Sequence, residues 1–430
     1  MNKQRFGIIL PITLLAYFLI LMDNSIIFTS SMEIGQSLHL TATALSWVSS
    51  AYTLTFGGFL LLSGRLSDLL GRKRIFLIGL TIFAISSFLI GSAQDATTMI
   101  LMRALQGIGS SIIAPTTLAL IMDAYQGTMR QKAIAYYGAT AGIGASVGLL
   151  VGGGLTSLIS WRAGFLINVP FTLLLILLTI KYIQATPAKT GKIDYLGSIL
   201  SVLSLVGIIY GLTESMWWIF SLGIVLLVLF LYWESRCASP ILPLVLFKNK
   251  IRLGAYFTRL LFMMAMLPLW FFLPQMMQSQ YGFSAFESGL AFLPLTIVNF
   301  IVALQLPRVT AKFCNYRVLL LGEVILAAGL AALALTDTTK GYWLAIFLPM
   351  LILGIGQGLI LAPVTAAGVH EASDEMAGIA SGVTNMMHQI GGPIGLSIIV
   401  TTTQVFHQEM WWLVGFTVIA CIVVGILVNE

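Results

Sequence analysis

Residues 64–74 read GRLSDLLGRKR, and Arg65, Asp68, Arg72, Lys73 and Arg74 place five charged side chains in eleven positions. Only 9% of the 430-residue chain is charged, 58% is hydrophobic and the mean hydropathy is +0.97. Soluble globular chains carry about 25% charged residues. So few charges cannot cover a water-exposed surface of this size. Most of the chain must take lipid as its solvent, and 64–74 must be a loop between apolar runs.

A helix needs about 20 predominantly apolar residues to cross the hydrocarbon core. Working outward from the loop, fourteen runs qualify: 6–29, 43–63, 75–93, 97–124, 132–158, 163–183, 195–213, 216–233, 253–277, 285–306, 317–336, 342–368, 376–401 and 410–428. They use nearly the whole chain and leave no soluble domain. They are apolar on all faces, whereas the strands of a membrane barrel alternate with period two. The expectation is an all-α membrane protein. The start, MNKQRFGIIL, is basic, but the apolar run after it is too long for a signal-peptide core and shows no small-residue cleavage site, so it reads as a retained span. Cys237, Cys314 and Cys421 are isolated and suggest neither a disulfide framework nor a metal site.

With the N-terminus in the cytoplasm, all 22 Lys and Arg but Arg103, Arg162, Arg259 and Lys340 fall in cytoplasmic segments. That obeys the positive-inside rule and predicts both termini cytoplasmic. The formal net charge of +6 is then a topology signal and an affinity for anionic inner-leaflet lipid, with no nucleic acid implied. H-E-x-x-H, P-loop and serine-elbow motifs are missing, which argues against an enzyme or an ATP-driven pump. Repeated polar rings or filter loops, the marks of a channel, are missing too.

Gly64, Leu66, Asp68, Gly71, Arg72 and Lys73 match G-x-L-x-D-x-x-G-R-K between the second and third runs. This resembles the loop signature of the major facilitator superfamily. LMDNSIIFTSS (21–31), RALQGIGSS (103–111), WRAGFLINVP (161–170) and LPQMMQSQYGFSAFESGLAFLP (273–294) are similar to signatures of its fourteen-span drug:proton antiporters. The resemblance implies two six-helix bundles with two inserted spans: 1–184 for spans 1–6, 185–252 for spans 7–8 and a linker, and 253–430 for spans 9–14. GIGSSIIAPTT (107–117) is echoed by GQGLILAPVT (356–365), and Gly144 and Gly148 by Gly392 and Gly395, as a repeat would require. The sequence departs from the family at Leu149, where exporters usually carry proline, and at His388, where they usually carry arginine. The loop with Glu371, Asp374 and Glu375 is acidic where other inner loops are basic.

The resemblance further implies a multi-pass protein of the bacterial cell membrane that exports amphipathic, cationic drugs or dyes. It would need no cofactor beyond the proton as coupling ion, and a monomer is expected. Transport of another small solute, or import, remains the alternative, since the loop signature is shared by both directions.

Gating falls to Gly64, Asp68, Gly71 and Arg72. Asp68 and Arg72 are four apart and share a helical face, while the glycines allow a sharp turn or a close helix approach. In the superfamily such an acid and its bases hold the cytoplasmic ends of the bundles together. Proton coupling falls to Asp23, Arg103 and His388. Asp23 and Arg103 each sit about 9 Å from the outer ends of their runs at 1.5 Å per residue, and ionisable groups inside a span are functional by default. Asp23 is either a structural acid, capped by Asn24 or Ser25 or reaching the interface, or a carboxylate for which proton and cationic cargo compete. Arg103 either forms a fixed ion pair or tunes that carboxylate, a partnership suggested by depth alone. His388 is either a neutral histidine bonded to a neighbouring helix or a second titrating group.

By the repeat, spans 1, 4, 9 and 12 line a central cavity. Its candidates are Asp23, Asn24, Gln106, Met263, Met266, Trp270, Phe271, Gln275, Gln357 and Asn385. The methionines offer an adaptable apolar wall, and the aromatic faces suit organic cations. Gly144, Gly148 and Gly152 form a small-residue face for close packing or sliding. Glu323 and Arg259, within two turns of span ends, are explained by snorkelling to the interface.

Overall fold

The computed structural model describes residues 6–185, 191 and 193–429, with the side chains of Asp374 and Glu375 left aside. Lys3, Arg5, Lys189 and Lys192, four of the bases used to orient the chain, lie outside the described residues, as do the two acidic side chains of the 371–375 loop.

Every apolar run is helical. The elements are α1 (Ile9–Ser37), α2 (Ala42–Leu70), α3 (Arg72–Gly91), α4 (Ala96–Ala124), α5 (Gly127–Leu158), α6 (Trp161–Leu166), α7 (Asn168–Tyr182), α8 (Tyr195–Thr213), α9 (Trp217–Arg236), α10 (Lys250–Tyr281), α11 (Ala285–Thr310), α12 (Asn315–Leu335), α13 (Leu348–Gly368), α14 (Asp374–Thr402) and α15 (Phe406–Leu427). The sixth run is broken at Ile167 into α6 and α7, with Pro170 in the first turn of α7, where a missing N–H is harmless. The twelfth run starts as a π-helical turn, Trp343–Phe347. Among the described residues, thirteen helical stretches are long and apolar enough on their own to cross a membrane. The thirteenth run, α14, is diluted by Asn385, His388 and Gln389.

Several helices outrun their apolar stretches. α1 continues to Ser37, and α10 starts at Lys250 and ends at Tyr281. Apolarity marks the part in lipid, while the polar ends keep helical hydrogen bonds beyond it.

Two bundles form, α1–α7 and α10–α15, and they repeat the same pairings: α5 on α1 and α14 on α10, α4 on α2 and α13 on α11. Glycine makes the first pairing possible. A Cβ on Gly148 would stand 2.5 Å from Met22 O, one on Gly152 2.7 Å from Ile26 Cα, and one on Gly144 2.9 Å from Leu21 Cβ. In the second bundle Gly395 abuts the Met264 carbonyl, and a Cβ on Gly392 would stand 2.5 Å from Leu267 Cδ1. Lipid supplies no hydrophobic drive between helices, so close backbone approach carries their association.

α8 and α9 pair through Gly207 and Gly223 and lie along the seam between the bundles. Trp47 Nε1 of α2 donates to Glu214 Oε1 at 2.8 Å, and Thr213 and Ser397 of α14 share a 2.6 Å hydroxyl contact.

The bundles meet tightly at the end away from the termini. Gln278 Nε2 of α10 donates to Thr29 O of α1 at 3.1 Å, and Phe28 meets Trp270 edge-on at 5.7 Å. Gly153 of α5 faces Ala285 O, and Gly289 of α11 faces Leu149 O, at 2.5 and 2.7 Å from their ideal Cβ positions. α5 and α11 then part. Gly142 still touches Phe300, but Gly138 has nothing within 4 Å, and Ile301 and Leu304 are exposed. The molecule is closed at one end and splayed at the end that carries the termini.

Candidate functional site

Asp23 is the fifteenth residue of α1, counted from Ile9, so it lies near mid-helix. Neither Asp23 nor Arg103 has any exposed surface. Arg103 Nη1 donates to Asp23 Oδ2 at 2.8 Å. Gln106 Nε2 and Asn168 Nδ2 donate to the other oxygen, Oδ1, at 2.9 and 2.7 Å. Arg103 Nη1 also reaches Gln106 Oε1 at 2.6 Å, and its Nε donates to Val48 O at 3.0 Å. Gln106 Nε2 is further shared with Ser87 Oγ at 2.8 Å. The guanidinium lies 4.2 Å from the Tyr52 ring centre. One carboxylate thus ties together α1, α2, α3, α4 and α7.

All of these partners belong to the first bundle. Asp23 and Gln106, expected in a central cavity, are instead inside one bundle's core. Asp23 is not capped by Asn24 or Ser25, and it does not point into lipid. The reason is helical phase: neighbouring side chains are about 100° apart at 3.6 residues per turn, so Asn24 takes the face towards the second bundle and Asp23 turns inward.

Chemically, an ionised carboxylate offers acceptors only, while a protonated one must spend an oxygen as donor. A proton on Asp23 would turn one acceptor position into a donor and remove the charge that Arg103 pairs with. Arg103 Nη2 and Asn168 Oδ1 are already without a partner among the described residues. The charge on Asp23 thus bears directly on the contacts of α1 with α4 and α7, and through Arg103 and Gln106 on those with α2 and α3.

The cleft between the bundles is lined on one side by Tyr17, Leu21, Asn24 and Phe28, spaced as one stripe of α1. Facing them on α10 are Arg259, Met263, Met266 and Trp270, again one stripe. Phe28 against Trp270 closes one end. Asn24 and Met263 are half-buried, and Asn385 on α14 is exposed. Met266 is buried. Gln357 of α13 is buried, with Oε1 unpartnered among the described residues. Phe271 is buried in the second bundle and turned off the stripe. Gln275 lies in a different recess, at the closed end, with Phe272, Thr403 and Glu409. These two are corrections, and both follow from a run of α10 that is apolar all round and so gives no phase.

Snorkelling fails for both residues it was meant to explain. Glu323 has no exposed surface, and neither carboxyl oxygen has a partner among the described residues. Arg259 is 8% exposed, and its Nε and Nη1 are unpartnered among the described residues. Glu323 is enclosed by neighbouring helices, and Arg259, instead of running along its helix to the interface, turns towards Tyr17 of α1 and His388 of α14. His388 is half-buried with Nδ1 likewise unpartnered, so it is not bonded to a neighbouring helix through that atom.

At the loop, Gly71 takes φ +91°, which only glycine adopts without strain, and this ends α2 and starts α3. Arg72 bridges Asp68 at 3.4 Å and Asp123 of α4 at 2.6 Å, and reaches the Ala119 carbonyl. Asp123 is the partner that sequence reasoning missed; it sits at the far end of α4, and only the fold brings it near. Gly64 neither turns the chain nor meets a neighbour: it is mid-helix with nothing within 4 Å of a Cβ. Gly144, Gly148 and Gly152 pack within the first bundle. Glycines at the seam between bundles include Gly57, Gly153 and Gly289.

With this geometry in place, similarity to known proteins is informative. The family profile described as Major Facilitator Superfamily matches residues 13–396. The chain is 34% identical to puromycin resistance protein pur8 of Streptomyces alboniger, over 92% of this chain and 81% of that one. It is 33% identical to the uncharacterized MFS-type transporter EfpA of Mycobacterium tuberculosis, over 88% and 73%. It is 31% identical to the cephamycin export protein CmcT of Amycolatopsis lactamdurans, over 90% and 83%. Among solved structures, the POT family transporter PepTSo superposes with a TM-score of 0.76 at 14% identity, covering 99% of this chain and 98% of that one. The D-xylose-proton symporter gives 0.72 at 14%, covering 98% of each. At that identity the likeness concerns fold alone. The chain belongs to the Major Facilitator Superfamily and is a multi-pass membrane transporter, not an enzyme, and its relatives include proteins named for antibiotic resistance and export.

Proposed function

We propose that this member of the superfamily exports amphipathic small solutes in exchange for protons, with the Asp23–Arg103 cluster as the coupling element. The observation that carries the reading is the buried polar cluster in which Asp23 pairs with Arg103 and accepts from Gln106 and Asn168, because a proton on Asp23 would remove the charge that the Arg103 pairing relies on. Proton binding therefore favours a different arrangement of the first bundle, and the proton gradient drives the cycle. One charge crossing 100 mV is worth about 2.3 kcal/mol.

With the termini cytoplasmic, as the basic loops imply, the splayed end faces the cytoplasm and loads cargo there. Gly153, Gly289 and the Phe28–Trp270 contact seal the outer end until the bundles rock. The unit is a single chain in contact with membrane lipid, with the proton as the only coupling partner. Relatives named for puromycin resistance and cephamycin export support a drug-like cargo. A cationic cargo competing directly for Asp23 finds no support, because in this conformation Arg103 already neutralises that carboxylate and no cleft reaches it. Coupling is therefore indirect, through bundle rearrangement.

The test is uptake of a panel of fluorescent amphipaths into everted membrane vesicles. Accumulation that requires an inside-acid gradient and collapses with a protonophore is expected. Accumulation indifferent to the gradient, or driven by the opposite one, would overturn the reading.

A further inference from the structure

We infer that the cleft recognises an oxyanion on its cargo, with Arg259 as the binding residue. This rests on the transport reading above and specifies its substrate class. Arg259 is the tenth residue of α10, about 14 Å along the helix from Lys250. It is more than nine-tenths buried, Nε and Nη1 have no acceptor, and it forms no ion pair among the described residues. Its electrostatic neighbours are Tyr17 on α1, across the cleft, and His388 on α14. Tyr17 stacks on Tyr137 of α5 at 3.9 Å, which gives the recess a flat aromatic wall.

A guanidinium cannot shed its charge, and burying one without an acceptor is costly. Within a membrane such a group is retained for function, and its fixed fork matches a carboxylate or phosphate. The other intramembrane arginine, Arg103, has its acid; Arg259 has none. The recess is open to the splayed end: Gly138, one residue from Tyr137, has nothing within 4 Å, and Asn385, one turn from His388, is exposed. An amphipath entering there would lay its apolar body along Tyr17, Tyr137 and Met263 and set its acidic group on Arg259. His388 Nδ1, unpartnered, adds a second polar contact for the same group.

The test uses purified full-length protein in zwitterionic nanodiscs, with no proton gradient, so its outcome is independent of whether export is proton-driven. Three probes share one fluorescent apolar body and end in a carboxylate, a neutral amide or a quaternary ammonium. Wild type is expected to bind the carboxylate probe at least about tenfold tighter than the amide, as a charge-assisted hydrogen bond supplies. Arg259→Gln abolishes that preference and leaves amide binding unchanged, while Arg259→Lys, which keeps the charge, retains part of it. Competition by phosphatidylglycerol assigns the site to a lipid headgroup, and competition by a soluble aromatic carboxylate assigns it to a free acid; either upholds an oxyanion site. Equal binding of all three probes by wild type overturns it. So does an Arg259→Gln protein that folds and loses all three probes alike, since that is what a purely structural arginine would do.

Discussion

Asp23 Oδ2 and Arg103 Nη1 lie 2.8 Å apart, with neither side chain exposed, although eighty residues separate them in the chain. Removing one member of such a pair strands the other charge, at about 3–5 kcal/mol. Arg103→Met is expected to lower the unfolding midpoint sharply. Arg103→Met combined with Asp23→Leu is expected to recover much of that loss without recovering transport. Thermal unfolding of the purified variants in detergent measures both.

The glycines divide into two kinds. Gly148→Ala puts a methyl against the Met22 backbone and is expected to destabilise by about 1–3 kcal/mol, as overpacking does. Gly64→Ala, in open helix, is expected to be neutral or to stabilise by about 0.5–1 kcal/mol. Equal unfolding midpoints for the two variants would contradict the packing described.

Gly153→Val collides with Ala285 O across the seam, not within a bundle. It should leave each bundle intact and open the sealed end. A cysteine at Ser157, whose hydroxyl accepts from Phe286 N, reports this in a background lacking the three native cysteines. Labelling by a membrane-impermeant thiol reagent from the outer side is expected to rise severalfold in the Gly153→Val protein.

Asp194 caps α8, accepting from Gly197 N at 2.9 Å and from Trp233 Nε1 of α9 at 2.8 Å. Burial pushes its carboxyl up, but those donors and Glu234 outweigh it, and the net value lies below the ordinary carboxylate range. A depressed folded-state value means that its stabilisation is present above the unfolded value and is lost as pH falls through the folded one. Asp194→Ala should cost about 0.5–2 kcal/mol at neutral pH. The difference from wild type should shrink under strong acid, as melting curves across pH would show.

The loop 64–74 was the most legible feature because its chemistry is local. Asp68 and Arg72 are four residues apart, and Gly71 supplies the turn between them; Asp123 was not legible, since only the fold brings the end of α4 beside Arg72. The apolar spans and the glycine face of α5 were legible for the same reason, being written in runs and spacings. Phase about each helix axis was not. Runs apolar on every side carry no marker of which side faces lipid, so Asp23 and Asn24 could not be told apart, nor Trp270 from Phe271. Glu323 and Arg259 were misjudged because distance to a helix end was visible, and the neighbouring helices that enclose Glu323 and that Arg259 turns towards were not.

The central claim is that the charge on Asp23 couples protons to cargo. Proteoliposomes holding wild type or Asp23→Asn separate coupling from transport itself: cargo counterflow needs only alternating access, whereas gradient-driven accumulation needs the proton. Asp23→Asn is expected to keep counterflow and lose accumulation in response to a pH gradient. Accumulation by Asp23→Asn that tracks the gradient as wild type does would contradict the account.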